Sequence, residues 1–190
     1  MESSLLVFGN RKRMMYLLAL LAEGPISGHF LRRKLRLDTQ EEQRITKFFI
    51  TARALERIGP GFGKIWFHDR FVAAVELRAF LAAVAGKQQL SEGERMRGGT
   101  EHGDLRRIFG SANRTAVLMV TALSEVELDA PTISRTAGVG ESSARHAASL
   151  LVRDGLFERV GHRFLFRRDL AVYDVLVPLI KTLASTINSN

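Results

Sequence analysis

Apolar positions recur along the chain at helical spacing, in blocks separated by short polar or glycine-rich stops. The clearest block is "VGESSARHAASLLVRDG", closed by Gly155. In it Ala144, Ala147, Ala148 and Leu151 fall at i, i+3, i+4 and i+7 and share one face. Ser142, Arg145, His146 and Ser149 have the same spacing on another face, and all are polar. Ahead of it, "DAPTISRTAG" predicts a short helix. Asp129 is placed to cap it, Pro131 suits its first turn, and Gly138 suits a left-handed stop. Upstream, "ANRTAVLMVTALSE" predicts a helix with an apolar face. Downstream the period changes. "LFERVGHRFLFRR" alternates about Gly161-His162 and predicts a β-hairpin. "LAVYDVLVPLIKTLASTI" predicts a terminal helix, with Pro178 as a point of kinking.

The same order occurs earlier in the chain. "VFGNRKRMMYLLALLAE" aligns with "IFGSANRTAVLMVTALS", and "FFITARALERIG" with "LLVRDGLFERVG". The offsets nearly agree: 101 between Phe8 and Phe109, 102 between Gly59 and Gly161. "KIWFHDRF" answers "HRFLFRRDL". Several matches in one order at nearly one offset indicate a duplicated module. We place the copies at 1–86 and 104–190, with the polar, Gly-rich segment 87–103 as a linker. In copy one, Ser27 is placed to cap "GHFLRRKL", and Asp38 or Thr39 to cap "QEEQRITKFFITARAL". "GPGFGKIWF" predicts a longer, Gly-rich hairpin loop with Phe62 and Lys64 near its tip.

Duplication also decides how to read "RKRMMYLLALLAEG". Three basic residues ahead of an apolar run resemble a secretory signal. The segment recurs as "NRTAVLMVTAL" in mid-chain, where a cleaved leader has no reason to be. We therefore expect a core helix and a cytoplasmic, nucleoid-associated protein. No apolar run reaches the roughly 20 residues that cross a bilayer.

Composition narrows the chemistry. The 190 residues include no cysteine, so disulfides and thiolate metal sites are excluded. The five histidines show no ligand spacing, and no metal or cofactor is expected. No nucleophile elbow, Walker loop or paired acidic motif is present. "GPGFGK" lacks the Gly-Lys-Ser/Thr ending of a phosphate loop. A binding protein is expected rather than an enzyme. The formal net charge is +8, which points to a polyanionic partner. Copy one carries 14 Lys+Arg against 8 Asp+Glu, and copy two 11 against 9.

Helix, helix, short turn, helix, hairpin is the winged helix-turn-helix order. The expected fold class is therefore mainly α with small β-hairpin wings, in two tandem domains. "TISRTAGVGESSARHAASLLVRDGLFERVG" resembles the helix-turn-helix and wing of ArsR-like and MarR-like bacterial regulators. "FGSANRTAVLMVTAL" and "FGNRKRMMYLLALL" resemble the opening of ArsR-like domains. The resemblance implies double-stranded DNA as partner and transcriptional regulation as function. In such folds the third helix enters the major groove and the hairpin lies over the backbone.

On copy two this assigns base contact to Arg145 and His146, and close approach with phosphate contact to Ser142, Ser143 and Ser149. His162 and Arg163 fall at the hairpin turn, over phosphates. On copy one the 102 offset makes Gln40, Gln43, Arg44 and Lys47 the outward positions, with Lys64 on the hairpin. Arg32, Arg33, Lys34 and Arg36 form a basic cluster suited to phosphates. The same residues also fit an ordinary solvated surface. Two features run against DNA on this side. Glu41 and Glu42 would repel phosphate, and Glu42 stands where copy two has apolar Ala144, which suggests a different register.

Tandem winged helices also serve replication initiators and chromosome-partition proteins, which remain the alternative. No basic amphipathic helix with an aromatic edge points to a membrane. The terminal helices expected in the two copies, "DRFVAAVELRAFLAAVAG" and "LAVYDVLVPLIKTLASTI", carry more apolar residues than one face would use. They are expected to pair, either between chains in a homodimer or between copies in an intramolecular pseudo-dimer. The homodimer is the first expectation, and the intramolecular pair would favour an asymmetric DNA site.

Overall fold

A computed structural model describes residues 7–85, 108–170 and 172–188. The expected linker 87–103 lies outside the described residues. Within them the chain is mainly helical, with two three-stranded antiparallel sheets.

The first half runs α1 (Arg11–Glu23), β1 (Ile26–Ser27), α2 (Gly28–Leu35), α3 (Thr39–Thr51), β2 (Leu55–Ile58), β3 (Lys64–Phe67) and α4 (Ala74–Val84). The second repeats that order as α5 (Ala112–Leu123), β4 (Leu128–Asp129), α6 (Ala130–Ala137), α7 (Glu141–Arg153), β5 (Phe157–Val160), β6 (Arg163–Phe166) and α8 (Tyr173–Asn188). Strand order is β1-β3-β2 in one sheet and β4-β6-β5 in the other.

Local sequence accounts for most boundaries. Asn10 and Ser111 each accept a hydrogen bond from the backbone three residues on, capping α1 and α5. Ser27 and Asp129 do the same for α2 and α6. Asp38 and Glu41 form a reciprocal capping box at the start of α3. The hairpin of the second half closes through Gly161 at φ 62°, in register Val160 with Arg163. The first hairpin pairs Ile58 with Lys64 and carries a 3-10 turn, Pro60–Phe62, in its longer loop.

Three expectations are corrected. The helix expected over 40–55 stops at Thr51, because Arg53 turns left-handed at φ 59° and Leu55 begins a strand. The helix expected from Asp69 begins at Ala74, after turns at His68–Phe71 and Phe71–Ala74. The register of α3 is not shifted: Glu42 occupies the buried place of Ala144. Its carboxylate accepts from the Tyr16 hydroxyl at 3.2 Å and from the Thr46 hydroxyl at 2.6 Å. Burial pushes the Tyr16 phenol well above its ordinary range. The space for this carboxylate comes from Gly28, where a Cβ would lie 2.6 Å from Glu42 Oε1. Copy two has Ala130, Ala144 and Ala148 at the matching places of Gly28, Glu42 and Thr46.

The halves meet through their own counterparts. The rings of Phe8 and Phe109 stack with centroids 5.8 Å apart. A Cβ on Gly9 would lie 3.0 Å from Gly110 Cα, and one on Gly110 would lie 3.4 Å from Gly9 Cα. Helix α4 packs on α8, where Thr182 Oγ1 donates to Glu76 Oε1 at 2.9 Å. Self-pairing of equivalent surfaces is the mark of a two-fold relation; a head-to-tail array joins unlike surfaces. The contacts of Phe8 with Phe109 and of Gly9 with Gly110 are of the kind that a pseudo-two-fold arrangement of the halves produces.

This explains the "FG…R" pattern that opens both copies. Gly is needed for a positive φ and for backbone approach across the axis. The arginine secures the turn: Arg13 Nη1 donates to Phe8 O at 3.2 Å, and Arg114 Nε to Phe109 O at 2.9 Å. Arg114 is buried and also donates to Asp154 Oδ2 at 2.8 Å. Copy one has Ala52 in place of Asp154, and Arg13 instead lies over the Phe48 ring, 3.6 Å from its centroid. Burial lowers the pKa of both guanidiniums, and at Arg114 the Asp154 carboxylate opposes that shift.

Candidate nucleic-acid interface

Apolar Ala144, Ala147, Ala148 and Leu151 turn α7 inward, all at most 4% exposed. That orientation leaves Ser142, Arg145, His146 and Ser149 exposed on the opposite side, with Ser143 half-buried at the edge. Together with Glu141, the four exposed residues line one shallow hollow. Arg145 also lines a second hollow with Asp129, Pro131, Arg159, His162 and Phe164. The helix face and the hairpin turn thus form one continuous surface joined at Arg145.

Several groups on that surface are already engaged. Arg145 Nη2 donates to Glu141 Oε1 at 2.8 Å, an exposed pair one turn apart. Arg159 Nε donates to Gly161 O at 2.9 Å and stiffens the hairpin turn. Asp129 accepts from the Thr132 side chain and N–H, and these hydrogen bonds hold its carboxyl below the usual range. Arg163 and His162 add a weaker pull in the same direction. Both are exposed. Arg167 and Arg168, which follow the hairpin, are turned to structure: the first pairs with Asp169 and the second donates to Glu125 O at 3.1 Å.

On copy one, Ile45, Thr46 and Phe49 turn α3 inward, and Gln40, Gln43, Arg44 and Lys47 are exposed on the other side. The two carboxylates that argued against this face are removed from it in different ways. Glu42 is buried. Glu41 is held by Lys12 and by the backbone of Asp38 in the capping box. The basic cluster divides. Lys34 is paired with Glu23. Arg32 donates to Thr39 Oγ1 at 2.7 Å and lies 2.9 Å from His29 Nδ1, bracing the turn between α2 and α3. Arg33 is exposed, with no ion pair among the described residues. Lys64 is exposed at the start of β3, one strand from the helix-capping Ser27.

Trp66 and Phe67 belong to the hairpin and core. The buried Arg78 guanidinium lies 5.6 and 5.4 Å from their rings and bonds Asp69 at 3.2 Å. Two features were not anticipated from sequence. Arg159 joins the Arg145 surface, and its only signal was an outward position in the alternating hairpin. Two-residue strands β1 and β4 pin each hairpin to the cap of the next helix, through Ser27–Lys64 and Asp129–Arg163. No helix among the described residues is long and apolar enough to cross a membrane.

No family model, curated protein or solved structure matches the chain.

Proposed function

We propose that the chain is a tandem winged helix-turn-helix protein that binds double-stranded DNA sequence-specifically and regulates transcription. Helices α3 and α7 are its recognition helices, and the β2–β3 and β5–β6 hairpins are its wings. The observation that carries the reading is the continuity of the α7 polar face with the wing turn through Arg145. A helix lying in a major groove needs short polar residues for approach, a long donor for base edges, and flanking cations over phosphate. Ser142, Ser149, Arg145, His146, Arg159 and His162 supply these types on one surface. The exposed Gln40, Gln43, Arg44 and Lys47 supply a second set. The likeness of both copies to ArsR-like and MarR-like segments agrees with the element order.

Pairing of α4 with α8 inside the chain supports a single-chain pseudo-dimer over a homodimer through the same helices. The net charge of +8 favours association with a polyanion.

Arg145→Ala and Arg33→Ala test the assignment together. The first is expected to weaken specific binding by about 1–3 kcal/mol and relax one base position. The second is expected to weaken all sequences alike and make the salt slope shallower by about one. Equal losses on specific and random duplexes for both variants would refute α7 as the reading helix.

A further inference from the structure

We infer that the DNA target is an inverted pair of unlike half-sites, one carrying guanine where the other carries adenine. This rests on the DNA-binding reading above and specifies its target.

Two observations combine. The first is the reciprocal contact of Phe8 with Phe109, Gly9 with Gly110, and α4 with α8, which fits a pseudo-two-fold axis between the halves. Two-fold related reading elements meet the two strands of a duplex in opposite directions, so their half-sites are inverted. A direct repeat would need the halves related by translation, which would join unlike surfaces instead.

The second observation is that the two reading faces have the same register and different chemistry. Burial of Glu42 in the place of Ala144 fixes that register, so positions on α3 and α7 correspond one to one. Gln43 then holds the place of Arg145, Arg44 that of His146, Gln40 that of Ser142 and Lys47 that of Ser149. All eight side chains are exposed. An arginine pairs best with the O6 and N7 of guanine, whereas a glutamine pairs with the N6 and N7 of adenine. The matching base in the two half-sites therefore differs, and a palindrome satisfies only one half of the chain. Across these four positions the α3 face carries two fixed cations, Arg44 and Lys47, and the α7 face one, Arg145. The α3 half-site should show the steeper dependence on salt.

The test is selection of duplexes from a random pool by the full chain, followed by two exchange variants. Wild type should enrich a motif with inverted, unlike halves. Gln40→Ser/Gln43→Arg/Arg44→His/Lys47→Ser gives α3 the α7 set, and should shift preference by roughly tenfold or more to a palindrome of the α7 half-site. Ser142→Gln/Arg145→Gln/His146→Arg/Ser149→Lys should prefer the opposite palindrome, by a similar factor. All substituted positions are exposed, and the second variant guards against misfolding of the first. Inserting about 5 base pairs between the halves turns one to the opposite face of the duplex and should abolish joint binding. Enrichment of a palindrome, a direct repeat or a single half-site by the wild-type chain would overturn the inference and leave DNA binding standing. Failure to enrich any duplex would overturn both.

Discussion

Gly9→Ala probes the junction on which the paired arrangement depends. Two costs add at this position. The backbone has φ 87°, where an L side chain is strained by about 1 kcal/mol. The new Cβ would also meet Gly110 Cα at 3.0 Å and Phe109 O at 3.4 Å, both backbone atoms that no rotamer change can move aside. Relieving that overlap requires the halves to separate slightly around the Phe8–Phe109 stack, which overpacking data put at about 1–3 kcal/mol. The expected total is about 2–4 kcal/mol. Gly138→Ala is the control. Gly138 is also left-handed, at φ 65°, and has no neighbouring atom within 4 Å of a Cβ. It should cost only the conformational part, about 1 kcal/mol. In thermal melts followed by circular dichroism, with about 2–4 °C lost per kcal/mol at this chain size, Gly9→Ala should fall by about 4–16 °C and the control by about 2–4 °C. Equal losses would show that the halves do not press against each other at these glycines, and the two-fold junction would be refuted.

Two further substitutions test how the copies solve the same local problems. Asp154→Ala removes the carboxylate that accepts from the buried Arg114 guanidinium at 2.8 Å, and should cost about 1.5–3 kcal/mol in urea unfolding, the worth of a hydrogen bond to a charged group; a loss under about 0.5 kcal/mol would mean that the pair contributes little to stability. Arg53 sits at φ 59° where copy two has Gly155 at φ 73°, so Arg53→Gly should relieve left-handed strain and stabilise by several tenths to about 1 kcal/mol. A destabilised Arg53→Gly protein would show that the arginine side chain contributes more than its backbone costs.

Most of the element order was legible because copy two uses residues with unambiguous local preferences. Asp129, Pro131, Gly138 and Gly155 punctuate it as written, and the alternating hairpin turns at Gly161. Copy one was harder for a physical reason. It places Arg36 and Arg53 in the left-handed positions that Gly138 and Gly155 occupy, so the stops of α2 and α3 carry no glycine signal. It also buries Glu42, which looks like a solvent residue until Tyr16, Thr46 and the missing Cβ of Gly28 are brought around it. Those partners are 26 and 4 residues from Glu42 in sequence, and only folding joins the first to it. Strands β1 and β4 were invisible because two residues are too few to show a period. The contact of Gly9 with Gly110 was also hidden: the Phe-Gly repeat was plain in the text, but nothing local says that one copy touches the other. For the candidate interface, helical spacing was enough to separate outward from inward positions on α3 and α7. It could not show which cations are spent on structure, as Lys34 is on Glu23 and Arg167 on Asp169.

The central claim is that this basic, two-faced chain binds duplex DNA through its phosphates as well as its bases. A fluorescence-anisotropy titration of the full chain against its selected duplex, repeated across salt concentrations, tests it most directly. Two reading faces with flanking cations should neutralise roughly 6–10 phosphates, so affinity should fall by about 10³–10⁵ between 50 and 200 mM salt. An affinity that stays flat across that range would contradict the account.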